Sequence, residues 1–172
     1  MSYGVEDDSE LEAIDPNRTT KNFGNFGMKF VDISNTEGLK RREWSQTAPE
    51  WRRCRHGLCL EGICTNSACK ARGQVVIIPM GYKEFDVVRD ANSSTTVCPI
   101  CKTYVEPENC GFNNCWWRFD GVKQEGPGIS PKQYSSNWEQ ADDAFHYFDK
   151  EMSGMATWRK LEFKVVKNKP VQ

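Results

Sequence analysis

Cys98-Pro99-Ile100-Cys101 sets two thiols on one short turn. In a Cys-Pro-x-Cys turn both thiolates aim at a single point and backbone N–H groups face the sulfurs. That is half of a tetrahedral zinc site. Three further pairs are each separated by four residues: Cys54 and Cys59, Cys64 and Cys69, Cys110 and Cys115. All eight cysteines fall between residues 54 and 115. A turn from one pair can meet a turn from another if the chain between them returns. The stretch between Cys69 and Cys98 contains β-branched runs that suit a hairpin, so the ribbon pairing Cys64, Cys69, Cys98 and Cys101 leads. A rival pairing joins Cys98, Cys101, Cys110 and Cys115, leaving the first four for a second ion. Cys110 and Cys115 are thus tentative ligands, and reduced core thiols are their other reading. One zinc site is expected, with room for two. A closed four-thiolate site is structural, because it leaves no open position for water or substrate.

Other chemistry finds little footing. Thioredoxin-like redox use of Cys98 and Cys101 needs a helix N-terminus after a strand in an α/β domain, whereas the neighbours here are β-rich and carry more cysteine. The chain has no Gly-x-Ser-x-Gly, no phosphate loop and no dinucleotide fingerprint. The zinc-deaminase pattern is absent too, because no His-x-Glu occurs. Only two histidines exist. His56 lies in a basic loop and reads as solvated, and His146 reads as a core-edge imidazole bonded to backbone. Asp142 and Asp143 are adjacent, so they point apart. The four-residue spacings and the cysteine order exclude a RING cross-brace. No enzyme activity and no small-molecule substrate is expected.

The elements that must carry the cysteines are mostly strands. Met28–Ile33 reads as a strand, and Asn35 to Gly38 as a turn. Pro49 argues against a helix through Arg41–Trp51. Gln74–Ile78 and Lys83–Val88 read as the two arms of a hairpin broken at Pro79-Met80-Gly81. Trp116–Val122 is an aromatic strand. Lys123–Asn137 reads as a long surface loop, since it contains Gly126-Pro127-Gly128 and Pro131. Trp138–Asp149 is divided between helix and strand. Thr157–Val166 alternates as a strand should. The expected fold class is mostly β: a zinc-ribbon-like, Cys-rich unit packed with antiparallel hairpins and few helices. Residues 1–22 are expected to be an acidic disordered tail, and 23–172 a single zinc-binding β-rich domain. Asn22-Phe23-Gly24-Asn25-Phe26-Gly27 reads as a flexible lead-in.

Composition supports a small domain helped by metal. The 172 residues are 38% hydrophobic, with six Trp and nine Phe to enlarge the core. No apolar run is long enough to span a bilayer, and residues 1–15 are acidic without the apolar segment of a secretory signal. A reducing compartment, cytoplasmic or else nuclear, is expected, where clustered cysteines hold metal more often than they form disulfides. Net charge is −1, so the whole chain is no general polyanion binder. Yet Lys40, Arg41, Arg42, Arg52, Arg53 and Arg55 crowd one segment with Trp44 and Trp51. Such interleaving of charge and rings suits phosphate contact and base stacking, or a protein partner.

The blocks also carry a likeness. Gly57 through Asn66 to Cys69, Cys98-Pro99-Ile100-Cys101, Cys110-Gly111-Phe112-Asn113-Asn114-Cys115-Trp116-Trp117 and Phe145-His146-Tyr147-Phe148-Asp149 resemble an uncharacterised Cys-rich module of protists and small invertebrates. Lys29-Phe30-Val31-Asp32-Ile33-Ser34 fits its start. The module is often C-terminal to ubiquitin-like domains, and the resemblance covers residues 27–166. It implies zinc on Cys64, Cys69, Cys98 and Cys101, with Cys110 and Cys115 as further ligands, and lends less to Cys54 and Cys59. Residues 1–22 have no ubiquitin-like character, so a role resting on a tethered ubiquitin fold is not carried over. The functional expectation is a non-enzymatic structural-zinc adaptor or complex subunit, in ubiquitin-related work or elsewhere. The alternative is an RNA- or ribosome-binding ribbon using the basic segment.

Overall fold

The computed structural model describes residues 3–5 and 27–171. In chain order the strands are β1 (Tyr3–Gly4), β2 (Met28–Val31), β3 (Leu39–Arg42), β4 (Arg53–Cys54), β5 (Gly57–Ile63), β6 (Val75–Gly81) and β7 (Glu84–Asp86). Then follow β8 (Asn109–Asn113), β9 (Cys115–Gln124), β10 (Lys132–Ser135), β11 (Glu139–Ala141), β12 (Phe145–Phe148) and β13 (Met155–Val166). Among the described residues, two single-turn helices, α1 (Val87–Asp90) and α2 (Lys150–Ser153), stand beside two short 3₁₀ turns. Both helices start on an Asp cap. Asp86 Oδ1 accepts from the Val88 N–H, and Asp149 Oδ1 accepts from the Glu151 N–H. The fold is mostly β with antiparallel pairing throughout, as composition and patterning lead one to expect.

Two larger sheets share one core. The first runs β10-β9-β13-β2, with β11 also on β9 and β7 also on β13. The second runs β3-β12-β8-β5-β6. On β9, Cys115, Trp117, Phe119, Gly121 and Lys123 point inward, and the residues between them are half-exposed. β13 buries Trp158, then Leu161, Phe163 and Val165. The step of three after Trp158 is a bulge, seen as a register shift between Trp158 and Lys160 against β9. Phe112 of the second sheet stacks on Trp117 of the first, with ring centroids 4.1 Å apart. Phe163 meets the Phe112 edge at 5.7 Å.

The second sheet is covered on its outer face as well. Leu58, Leu60, Cys110 and Phe112 face the shared core. Cys59, Ile77 and Phe145 face outward into a smaller cluster with Cys54 and Val5. β4 and the segment before it lie over that face, and β1 pairs with β4, Tyr3 opposite Cys54. Burial on both faces explains why every residue of β8 is buried.

Several sequence expectations change. The hairpin between Gln74 and Val88 does not form. β6 continues through Pro79 to Gly81 and pairs with β5, while β7 crosses to the other sheet and pairs with β13. β6 is an edge strand, so Pro79 deprives the ladder of no N–H that a second neighbour would use. The loop read over Lys123–Asn137 holds β10, which folds back on β9. Trp138–Asp149 is strand on both sides of a turn, because Phe145 and Phe148 fill cores on opposite faces. Most of the expected disordered tail over 1–22, and of the Phe/Gly lead-in, lies outside the described residues. Within it, Tyr3–Val5 are placed against the domain, and Val5 is buried.

Candidate metal centre

The loop joining β5 to β6 carries Cys64 and Cys69. It is closed at its base by the Gly73 N–H donating to the Cys64 carbonyl at 2.7 Å and the Cys64 N–H donating to the Gln74 carbonyl at 3.1 Å. The second turn is pinned the same way. The Lys102 N–H donates to the Cys98 carbonyl and the Cys98 N–H to the Thr103 carbonyl, both at 2.9 Å. Lys102 takes the left-handed conformation at φ 61°, which reverses the chain, and Val97 bridges Tyr104 beyond it.

These two turns face each other. The Sγ atoms of Cys64, Cys69, Cys98 and Cys101 all lie within 4.8 Å of one another. Cys64 and Cys101 are 3.8 Å apart, and Cys69 and Cys98 are 3.9 Å apart. With zinc–sulfur bonds of about 2.3 Å, a regular tetrahedron has edges of about 3.8 Å. The donor set therefore fits one tetrahedral ion. Backbone N–H groups turn to the sulfurs as the motif requires: Ala71 donates to Cys69 Sγ and Ile100 to Cys98 Sγ, each at 3.4 Å. Cys64 and Cys98 are fully buried and Cys101 is at the rim.

The electrostatics suit a cation. Burial pushes the Cys64 thiol up to about 12, against a favourable hydrogen bond from the Asn66 backbone. Desolvation also opposes the Cys101 thiolate, but hydrogen bonds from Thr103 and Asn66 outweigh it and bring that thiol down to about 6. Four thiolates at these separations repel one another, and a divalent ion held by these sulfurs would remove the penalty on ionising all four.

Asn66 and Thr103 are parts of the site that sequence reasoning missed. Each stands two residues after a cysteine, and the Asn66 amide donates to Thr103 Oγ1 at 3.4 Å. Their signal was present as polar residues at matched offsets from Cys64 and Cys101. Such partners orient first ligands and tune their basicity.

The other cysteines go elsewhere. Cys110 is buried in the shared core opposite Leu60. Cys115 opens β9, also in that core. Neither joins the four, so the rival pairing through Cys98, Cys101, Cys110 and Cys115 is not formed. The reason is topological: β8 carries Cys110 into the middle of the second sheet, away from the β5–β6 loop. Cys54 and Cys59 meet on the outer face instead. Among the described residues, no second group of three or more ligating side chains is assembled. His56 is exposed, and His146 Nε2 meets the Asp142 carboxylate at 2.6 Å, away from the thiols.

The basic segment is largely satisfied within the chain. Lys40 pairs with Asp149 at 2.8 Å, and Arg41 with Asp142 at 3.0 Å and with Glu43. The Arg42 guanidinium lies over the Tyr147 ring. Arg52 departs most from a surface contact. It is 3% exposed and ion-paired to Glu61 at 2.9 Å. Burial on the outer face of β5 draws it inward, because Glu61 points there. Arg53 is half-buried in β4, and Arg55 is exposed. The Trp44 indole donates to Asp143 at 2.9 Å, and Trp51 packs on the shared core.

Comparison with family models, with curated proteins and with solved structures finds no match for this chain. The buried four-cysteine cluster is the supported part of the resemblance drawn from sequence, and no family is identified.

Proposed function

We propose that this chain is a non-enzymatic adaptor or complex subunit whose Cys64, Cys69, Cys98 and Cys101 hold one structural zinc ion. The observation behind the reading is the sulfur geometry: four thiols at tetrahedral spacing, enclosed by two hydrogen-bonded turns. Zinc there ties the β5–β6 loop to the turn before β8, which fixes one end of the second sheet. All four positions belong to protein sulfur, so the ion has no vacancy for a substrate. A reducing compartment, the cytosol or the nucleus, keeps such thiols available for metal.

The acid partners of Lys40, Arg41 and Arg52 weigh against RNA as the main ligand and favour a protein partner. Two measurements test this. Metal analysis of purified protein should find one zinc per chain. Affinity capture from the native cell, with and without nuclease, should return protein partners that survive nuclease. Zinc-free folded protein would overturn the site, and partners lost with nuclease would overturn the adaptor reading in favour of RNA or ribosome contact.

A further inference from the structure

The four sulfurs of the metal centre are not equally placed. Cys64 and Cys98 have no exposed surface and Cys69 is 8% exposed, whereas Cys101 is half-buried at the rim. An oxidant arriving from solvent therefore meets Cys101 before the other three. The close sulfur neighbours lie across the gap between the two turns. Cys101 Sγ has Cys64 Sγ at 3.8 Å, and Cys98 Sγ has Cys69 Sγ at 3.9 Å. Both contacts join the β5–β6 loop to the turn before β8, and neither lies within a turn.

The turns also hold their shapes by bonds that do not pass through the sulfurs. In the first, besides the closure at Gly73 and Gln74, the Cys69 N–H donates to the Asn66 carbonyl and the Arg72 N–H to the Cys69 carbonyl, each at 3.0 Å. In the second, the Val105 N–H donates to the carbonyl of the fully buried Thr96 at 2.9 Å. The Asn66 amide reaches Thr103 Oγ1 from one turn to the other. Cys64, Cys69 and Cys98 belong, with Ala71 and Val105, to the shared core. Cys64 therefore stays beside Cys101 when the rim sulfur reacts.

Resting on the zinc reading above, we propose that the site responds to peroxide, and that a Cys64–Cys101 disulfide then takes over from zinc as the staple between the two turns. The Cys101 thiolate attacks one peroxide oxygen, the O–O bond breaks, hydroxide leaves and a sulfenic acid forms at Cys101. The Cys64 thiolate attacks that sulfur, the S–S bond forms, the S–O bond breaks and a second hydroxide leaves. The two thiolates lose two electrons, which reduce peroxide to two hydroxide ions. The sulfurs close from 3.8 Å to the bonded length of about 2.05 Å. Two thiolates remain for the ion, too few for a closed site, and zinc is released. Because the new bond runs between turns, oxidation keeps the end of the second sheet tied. Chelation under reducing conditions leaves no such tie. Reductant and zinc together restore the original state.

The test exposes the full-length, zinc-loaded protein to one equivalent of hydrogen peroxide beside a chromogenic zinc indicator, with fragmentation mass spectrometry to map each cysteine. Before exposure, one zinc per chain should be found. Peroxide should release that zinc in step with loss of two hydrogens, mapped to a Cys64–Cys101 bond, and dithiothreitol with added zinc should reverse both. Dimedone, which traps sulfenic acid, should label Cys101, and a label on Cys64, Cys69 or Cys98 instead would overturn entry at the rim. Circular dichroism should stay native in the oxidised, zinc-free protein and be lost in protein chelated under reductant. Oxidised protein that unfolds as chelated protein does would overturn the disulfide as a staple. Zinc-loaded protein that keeps its metal through peroxide, or forms a Cys98–Cys101 bond within one turn, would overturn the switch and leave the zinc site standing. Folded protein without zinc before exposure would overturn the site and the switch together. Cys110, buried in the shared core, is the internal control, and its oxidation in step with Cys101 would overturn a reaction confined to the site.

Discussion

Cys64 Sγ lies 3.8 Å from Cys101 Sγ, although the two residues belong to different turns separated by β6, β7 and α1. Too far apart for a disulfide and at the edge length of a zinc–thiolate tetrahedron, the pair links the two halves of the site. Replacing one ligand should therefore undo the whole. Cys98→Ser is expected to lose the zinc and to cost roughly 5 kcal/mol or more of stability, given the free energy of structural zinc sites. Cys110→Ser should keep the full metal content. Metal analysis beside circular dichroism distinguishes the two. Native dichroism and a sharp melt after complete chelation would contradict a structural role for the ion.

The buried Arg52–Glu61 pair gives a second outcome. Arg52→Met leaves the Glu61 carboxylate without its partner at a buried position, and removing one member of a buried pair costs about 3–5 kcal/mol. The double change Arg52→Met with Glu61→Leu should recover much of that loss, because no charge is then stranded. Urea unfolding of the two single variants and the double variant closes the cycle, and an additive result would contradict direct coupling.

Gly111 sits in the central strand β8, opposite Cys59 on one side and Tyr147 on the other. A Cβ there would lie 2.3 Å from the Phe145 ring. Gly111→Ala should destabilise the domain by about 1–3 kcal/mol through overpacking. Adding Phe145→Leu should relieve part of that cost, read as a partial recovery of the melting temperature.

Arg41 hydrogen-bonds the Asp142 carboxylate and, with His146 assisting, holds it down at about 2 against an ordinary 3.8. A depressed folded value means that the contribution is complete above about pH 4 and is lost as pH falls toward 2. Asp142 is more than half exposed, so solvent screening limits the gain to roughly a few tenths of a kcal/mol. Asp142→Asn should remove this small acid-side loss from the stability profile and leave the neutral side nearly flat.

The cysteine spacing by itself pointed to the four thiols that could hold a metal ion. Ligand turns are local objects: Cys98-Pro99-Ile100-Cys101 needs only its own backbone to aim two sulfurs together, and alternation along β9 and β13 is equally local. Mostly β character and the leading group of four cysteines were legible for that reason. The partners of each strand were not. β6 and β7 look like two arms of one hairpin in sequence, yet they serve different sheets, because pairing is decided by which distant strand can bury the other face. The same non-local choice sends Cys110 into the core, turns Arg52 inward to Glu61, and seats Val5 against Cys54 and Cys59. Local residue types dictate what a turn can bind. Only tertiary packing decides which turns meet, which charges are buried and which thiols are left facing each other.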